Sequence, residues 1–298
     1  RKEHYGEMQQ FDGSYHHWLE DRGGTGELCL LAAIDDATGR ITKAGFDAHE
    51  GIVPVFSFWQ GYLLTHGKPR SIYLDRLRTY YNNILPAQDE EMLTQFQRAM
   101  REVGIEPIVA RSPQSKGRIE RLFKTLQDRL VKELRLKNIS DIQSANRFLQ
   151  KEFLPWFNEK YSVEPQKSSN LHRPITRTEK KQLPAIFSRQ SERTVQNDFT
   201  IRFNNTWYQL TKEQSVTVRP QEKVLLEERL DGSLCIRLRG KYLNYQTLSG
   251  KPLKQIHQPW VTAASQKTGK PYRPTADHPW RKPFPFNRPQ GYPVSSRT

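Results

Sequence analysis

The chain has 298 residues, of which 35% are hydrophobic and 11% aromatic, and its formal net charge is +15. It can therefore bury a core, and no apolar run approaches the roughly 20 residues that a membrane span needs. Cys29 and Cys235 match no zinc or redox spacing, which favours a reducing compartment without a disulfide framework. We expect a cytoplasmic globular protein with a polyanionic partner.

The positive charge is unevenly distributed. Residues 1–160 contain 23 Lys and Arg against 22 Asp and Glu, whereas residues 161–298 contain 24 against 10. This asymmetry predicts that the first part carries chemistry or specific recognition and that the second part binds phosphate. A basic surface that only confers solubility is the alternative interpretation.

The first 110 residues predict strands and helices in alternation. Three strands fall within residues 7–47, with a hairpin turn at residues 36–39. Apolar residues then recur with helical spacing from Glu50 to His66 and stop at Gly67. The short strand SIYLD places a carboxylate at its end. A helix from Gln88 to Val103 and the strand IEPIVA follow.

Residues 112–130, SPQSKGRIERLFKTLQDRL, predict a long basic helix that begins after a polar loop. Its apolar stripe comprises Ile119, Leu122, Phe123, Leu126, Leu130 and Leu134. Glu120 borders that stripe, with Lys116 and Lys124 four residues away on either side. The resulting order, β-β-β-α-β-α-β-α, predicts an α/β domain with a mixed five-stranded sheet and flanking helices.

The chain divides into four predicted parts. A catalytic core spans 1–160 and ends in an amphipathic helix, and a Ser-, Pro- and Lys-rich linker spans 161–190. Residues 191–250 predict a small β-barrel DNA-binding module from short alternating strands and an Asp-Gly hairpin signal. Residues 251–298 predict a basic, proline-rich tail that is extended or disordered.

The aromatic residues of the predicted barrel have two interpretations. They either form its core, which we favour, or stack on bases. The residues concerned are Trp207, Tyr208, Tyr242 and Tyr245.

Three carboxylates suit phosphodiester chemistry. Two Mg²⁺ ions can activate a water and stabilise a pentavalent transition state, and Mg²⁺ prefers carboxylate oxygens. Asp12 interrupts an apolar strand, Asp75 ends the fourth strand and Glu120 starts the long helix. Taken singly, each has a structural alternative as a turn acid, a cap or a surface ion pair. Asp35 and Asp36 compete for the role, but they belong to the predicted turn.

These motifs resemble the DDE transposases and retroviral integrases, which have an RNase H-like fold. The stretches GEMQQFDGSYHHWLEDRG, LLAAIDDATGRI, SIYLD and SPQSKGRIERLFKTLQDRL are most similar to insertion-sequence transposases of the ISNCY group. The resemblance covers roughly residues 5–160. It implies that Asp12, Asp75 and Glu120 are catalytic and bind two Mg²⁺ ions, with Mn²⁺ as an expected substitute.

The resemblance also implies contacts with DNA from the long helix and the loop before it. The residues concerned are Ser112, Gln114, Lys116, Arg118 and Lys124. The implied activity is cleavage of DNA at transposon ends and strand transfer into target DNA, by a homodimer or larger assembly on DNA in the bacterial cytoplasm, at the nucleoid. A metal-dependent nuclease without strand transfer and a catalytically inactive DNA-binding protein are the alternatives.

Two features depart from the family pattern. The residues after Asp75 read Arg-Leu-Arg-Thr-Tyr, where relatives commonly have Lys or Asn and a small residue before an aromatic. Such transposases also carry N-terminal helix-turn-helix domains that recognise the ends of the element. No such domain precedes Arg1, so we expect either a catalytic-core fragment or recognition of the ends by another part of the system.

Overall fold

The structure is a computed structural model, and it describes residues 1–24, 26–74, 94–109, 117–250 and 275–278, together with the backbone of the helix over 86–93. The chain divides into two compact units, Arg1–Lys251 and Pro252–Thr298. Of the second unit the described residues are 275–278, a turn in which the His278 amide donates to the Thr275 carbonyl. The rest of the predicted tail lies outside the described residues.

The first unit begins with the predicted alternation of strands and helices. In chain order its elements are β1 (His4–Tyr5), β2 (Met8–His16), β3 (Leu28–Asp35), β4 (Ile41–Asp47), α1 (Ile52–His66), β5 (Ser71–Leu74), α2 (Pro86–Glu102), β6 (Glu106–Val109), α3 (Gly117–Leu136), α4 (Ile142–Phe148) and α5 (Leu154–Tyr161). A π-helical turn, Leu149–Phe153, joins α4 to α5. The order β-β-β-α-β-α-β-α is confirmed, with β1 as a short addition at the start.

Five strands form one mixed sheet in the order β4-β3-β2-β5-β6. The three strands of the meander pair antiparallel, whereas β5 pairs parallel with both β2 and β6. The mixed five-stranded sheet with flanking helices is therefore confirmed. β2 is its central strand. Its side chains alternate between the two faces of the sheet, and helices cover both faces.

Hydrophobic residues on both faces of the sheet explain the two helical layers. Along β3, Leu28, Leu30, Ala32 and Ile34 pack with α3, α4 and α5, whereas Cys29, Leu31 and Ala33 pack with α1 and α2. This alternation follows from the two-residue period of a strand. The predicted apolar stripe of α3 is buried throughout. It holds this helix against the sheet.

The edge strand β4 is covered by amide side chains from the helical layer. Asn146 and Asn158 each accept from and donate to the backbone of β4, at Phe46 and Ile41 respectively, and Gln150 donates to the Ala44 carbonyl. These bonds satisfy backbone groups that an edge strand otherwise leaves open to another chain.

The predicted linker, residues 161–190, contains regular structure that packs on the core. It includes β7 (Lys167–Asn170), which pairs with β1, and α6 (Arg177–Ile186). Leu183, Ile186 and Phe187 are buried in the same hydrophobic cluster as α1 and α2. The Ser- and Lys-rich composition hid these apolar anchors, so the segment is more than a connector.

Residues 189–248 form a separate set of short strands. They are β8 (Arg189–Thr194), β9 (Thr200–Phe203), β10 (Thr206–Leu210), β11 (Lys223–Glu228), β12 (Leu234–Leu238), β13 (Lys241–Tyr242) and β14 (Tyr245–Leu248). They form two antiparallel sheets, β14-β10-β9 and β13-β12-β11-β8, around one hydrophobic core. The all-β module is present, but the structure does not confirm its closure into a barrel.

The aromatic residues of this module divide between core and surface. Tyr208 and Tyr245 pack on the core with their ring centroids 5.4 Å apart, in agreement with the favoured interpretation. Tyr242 is 45% exposed and its hydroxyl hydrogen-bonds to Glu227, so the core interpretation is wrong for it. Trp207 is half-buried beneath the Arg202 guanidinium.

Candidate active site

Asp12 lies in the middle of the central strand and is only 6% exposed. It pairs with Ala32 on β3, whose side chain belongs to the hydrophobic cluster of α3. Because side chains alternate along a strand, Gln10, Asp12 and Ser14 share the face that α3 covers. The pairing with β3 holds the Asp12 backbone in place.

Two polar contacts fix α3 along this face of β2. At its start, Arg118 Nη1 donates to Asp36 Oδ1 at 2.5 Å and to the Asp36 carbonyl at 2.6 Å. Further along, Gln127 Nε2 donates to Ser14 Oγ at 3.1 Å. Asp36 in turn accepts from Gln10 Nε2 at 2.8 Å. The helix therefore runs from the level of Gln10 to that of Ser14, and Asp12 lies between the two contacts.

Glu120 lies on the side of α3 that carries Gln127, because seven residues are close to two helical turns. At about 1.5 Å per helical residue it lies about 10 Å before Gln127, and at about 3.3 Å per strand residue Asp12 lies about 7 Å before Ser14. With the Gln127–Ser14 contact as the common reference, these ideal lengths predict that Glu120 and Asp12 differ by only a few ångströms in position along the strand direction. Glu120 is exposed, and so is Lys124 one turn later.

Arg118 and Lys124 differ in their surroundings. Arg118 is half-buried and its ion pair with Asp36 ties it to the turn after β3. Lys124 is exposed on the helix surface. Of these two predicted DNA contacts, Lys124 has the more accessible cation, while Arg118 also fastens the first turn of the helix.

Asp35 and Asp36 have structural roles. Asp35 is fully buried and accepts from the Gly6 and Thr38 amides, Gln9 Nε2 and the Thr38 hydroxyl. Burial raises the pKa of its carboxyl, and the donated hydrogen bonds oppose that shift. Asp36 accepts from the Lys2 amide, Gln10 and Arg118. The predicted turn at residues 36–39 is confirmed.

The other predicted site residues, Asp75, Ser112, Gln114 and Lys116, lie outside the described residues. Within the described part of the chain, no group of three His, Cys, Asp or Glu side chains is gathered to hold a metal. Asp12 and Glu120 supply two carboxylates, and carboxylate oxygens are the donors that Mg²⁺ prefers. Donors of this type fit magnesium.

A close contact lies behind Asp12 on the other face of β2. A Cβ atom added at Gly13 would come within 2.5 Å of Glu50 Oε2 and 2.9 Å of Cys29 Sγ. The Glu50 amide also donates to the Tyr15 hydroxyl at 2.7 Å. Sequence reasoning missed Glu50, Ser14 and Gln127. The seven-residue spacing of Glu120 and Gln127 is the signal that could have found one of them.

Fold and site together define an α/β domain in which the central strand carries Asp12 and a basic helix packed along the same face carries Glu120. The chain is 35% identical over 246 residues to the putative transposase y4bF of Sinorhizobium fredii, covering 83% of this chain and 53% of the relative. It is 31% identical over 288 residues to the transposase for insertion sequence IS1202 of Streptococcus pneumoniae, covering 94% of this chain and 59% of the relative.

The chain is thus a homologue of insertion-sequence transposases, and the resemblance predicted from its motifs is confirmed. It spans between one half and two thirds of the length of these two relatives. No family model matches it. Its assignment to the ISNCY group stays a prediction.

Solved structures with a similar fold include retroviral integrases. The HTLV-2 integrase catalytic core domain in complex with magnesium, in its trimeric form, aligns with a TM-score of 0.36 at 16% identity, over 49% of this chain and 84% of that chain. The simian T-cell lymphotropic virus intasome in complex with PP2A regulatory subunit B56 gamma aligns with a TM-score of 0.42 at 14% identity, over 86% and 82%.

Within the described residues, the helices are too short or too polar to traverse a lipid bilayer.

Proposed function

We propose that the chain is the catalytic part of a DDE transposase with an RNase H-like core, which cleaves DNA at transposon ends and joins the freed 3′-hydroxyl to target DNA. The observation that supports this proposal is the attachment of α3, which carries Glu120, along the face of β2 that carries Asp12. Homology to insertion-sequence transposases supports the reaction class.

Asp75 is the proposed third carboxylate. The parallel pairing of β2 with β5 matches Gln10 with Tyr73. Two residues further along each segment, the sequence reads Asp12 and Asp75. The same register, continued, would put the two aspartates side by side. The proposal therefore depends on β5 keeping its direction for one residue past Leu74.

Asp12, Asp75 and Glu120 would hold two Mg²⁺ ions. When bound, the metal supplies an activated water and charge stabilisation at phosphorus. Asp12 would contribute a fixed carboxylate, because its backbone is paired with Ala32 of β3 and its side chain is buried. Glu120 contributes a carboxylate at the solvent-facing side, where DNA has access. Lys124, one turn away, would bind a phosphate of the DNA.

The remaining predicted contacts complete the interface with DNA. Ser112, Gln114, Lys116 and Arg118 would bind the DNA end, and the all-β module would bind the backbone through its positive charge. Concerted joining of two ends requires at least a dimer assembled on DNA.

The test uses the full chain, Mg²⁺, a duplex that bears the terminal repeats flanking its coding sequence, and a supercoiled plasmid. We expect cleaved ends and joined products from the wild type. Asp12→Asn and Glu120→Gln should each reduce turnover on the order of 10³-fold, because several kcal/mol of metal-borne stabilisation is lost. DNA affinity without metal should stay nearly unchanged.

Asp128→Asn is the matched control, since Asp128 is an exposed acid on α3 whose ion pair with Lys132 lies on the surface. It should retain full activity. An active Glu120→Gln enzyme would refute the proposed site. Cleavage without joined products would favour the nuclease instead.

A further inference from the structure

A basic groove lies at the end of the sheet opposite the carboxyl end of β5. It encloses about 840 Å³ and is lined by Arg70, Arg101 and Arg173, with Glu106 beside them. We call these three residues and the space between them the arginine groove. All three arginines are exposed.

The three arginines are not neutralised within the described part of the chain. Other arginines of the core form ion pairs, such as Arg98 with Glu102 and Arg135 with Glu20. None of the groove arginines pairs with a described carboxylate, and Glu106 is the one acid in the lining. Like charges gathered in one concavity repel one another, so this arrangement favours an anionic ligand.

The groove is assembled from three separate segments with fixed backbones. Arg70 directly precedes β5, and its carbonyl accepts from the Glu106 amide at 3.1 Å. Arg101 lies in the last turn of α2. Arg173 exchanges backbone hydrogen bonds with Lys68, at 2.7 and 2.9 Å, and its guanidinium donates to the Gly104 carbonyl. Such fixed anchors lower the entropy cost of binding a ligand.

Guanidinium groups bind phosphate oxygens through paired, charge-assisted hydrogen bonds. Four strand residues at about 3.3 Å each separate the groove from the carboxyl end of β5 by about 13 Å. The groove therefore does not belong to the Asp12–Glu120 site. If the ligand is DNA, a phosphate bound in the groove would lie on a different part of the DNA from the phosphodiester that reacts.

We propose that the arginine groove binds the sugar-phosphate backbone of a DNA segment remote from the reacting phosphodiester. The choice of DNA over a small phosphate compound rests on the proposed function. The groove contributes affinity without reading sequence, because phosphate contacts carry no base information.

The test measures affinity for a non-specific duplex without divalent metal, as salt rises from about 50 to about 200 mM. The variant is the double change Arg70→Gln and Arg101→Gln. Arg173 is left in place because it also holds Gly104. Losing two phosphate contacts should make the slope of log affinity against log salt shallower by about 1.8. The control, Arg147→Gln with Lys151→Gln, removes equal charge from the exposed surface of the α4 layer and should barely change the slope.

Glu106→Gln gives a test of opposite sign. Removing the one acid of the lining should tighten binding to the duplex several-fold, and this variant keeps all three arginines. An unchanged slope in the double arginine variant, or an equal loss in the control, would overturn the proposal.

Inorganic pyrophosphate distinguishes the two sources of phosphate. If the double arginine variant loses pyrophosphate binding but keeps the wild-type DNA slope, the groove is a small-anion site and the DNA assignment fails. None of these measurements involves cleavage. Failure here therefore leaves the test of Glu120 unaffected, and failure of that test leaves the groove unaffected.

Discussion

The middle of β2 carries Asp12, the buried carboxylate of the proposed metal site, whereas the amino ends of β5 and β6 lie beside three arginines that no described carboxylate neutralises. One sheet thus separates a site suited to cations from a site suited to anions. The separation is possible because parallel strands have chemically distinct ends and different loops at each.

Two acids, Asp35 and Asp36, also lie beside the amino end of β2, but their carboxylates already accept hydrogen bonds within the protein. Asp35 accepts four hydrogen bonds, and Asp36 binds Arg118 and Gln10. Carboxylates on two paired strands therefore take different roles. Their neighbours decide the role, and a pattern of acids in the sequence does not by itself distinguish a ligand from a structural anchor.

We expect the largest loss of stability from a change at Gly13, which lies next to Asp12 on β2 and faces the opposite side of the sheet. In Gly13→Ala the new Cβ meets Glu50 and Cys29, so β2 or Glu50 must shift. We expect a loss of about 1–3 kcal/mol in the free energy of unfolding, measured with urea. In Gly45→Ala, the control on β4, the nearest atom lies 3.6 Å away and the change should be small. Equal losses in the two variants would contradict the close contact.

The second prediction concerns the amino end, where His172 packs beside Gly6 with its Nε2 2.7 Å from the Tyr62 hydroxyl. Burial, followed by the charge of His66, lowers the pKa of His172 to about 4. The unfolded chain, with a pKa near 6.5, takes up this proton first as pH falls. As the pH falls from about 6.5 to about 4, His172 therefore lowers the free energy of unfolding.

We expect His172 to account for about 1 kcal/mol of the decrease in the free energy of unfolding from pH 7 to pH 5, after allowance for its partial exposure. His172→Gln should flatten the pH dependence of the urea midpoint by that amount. His49→Gln, at an exposed position, serves as the control. A His172→Gln profile parallel to the wild type would show that the imidazole stays accessible to protons.

The smallest effect sharpens the placement of α3. In a double-mutant cycle of Ser14→Ala and Gln127→Ala, we expect a coupling of about 0.5–1.5 kcal/mol from their hydrogen bond. A second cycle, of Gln127→Ala with Ser57→Ala on α1, pairs residues on opposite faces of the sheet and should give none. Coupling near zero in the first cycle would remove the contact that aligns Glu120 with Asp12.

Sequence patterns were sufficient to predict structure that depends on residues close together in the chain. The two-residue alternation in β3 and the apolar stripe of α3 reflect burial of side chains at fixed periods, so strand and helix types followed directly. The turn at residues 36–39 was equally readable, because Gly39 adopts a φ of +72° that favours glycine. The motif spacing also predicted the similarity to insertion-sequence transposases.

Contacts between segments that are distant in the chain could not be predicted from the sequence. The predicted linker became β7 and α6 because a few apolar residues find space beside α1, which no local pattern encodes. Arg118 was predicted to bind DNA, and the structure also pairs it with Asp36.

The sequence by itself determined which residue types are available: three candidate metal ligands, a basic helix and a strongly basic second half. Only the tertiary structure decided that α3 is held along the face of β2 that carries Asp12, that Asp35 and Asp36 serve the turn, and that three arginines share one groove. The physical reason is that periodicity fixes the direction of a side chain relative to its own element, whereas the neighbours of that side chain depend on how the elements pack.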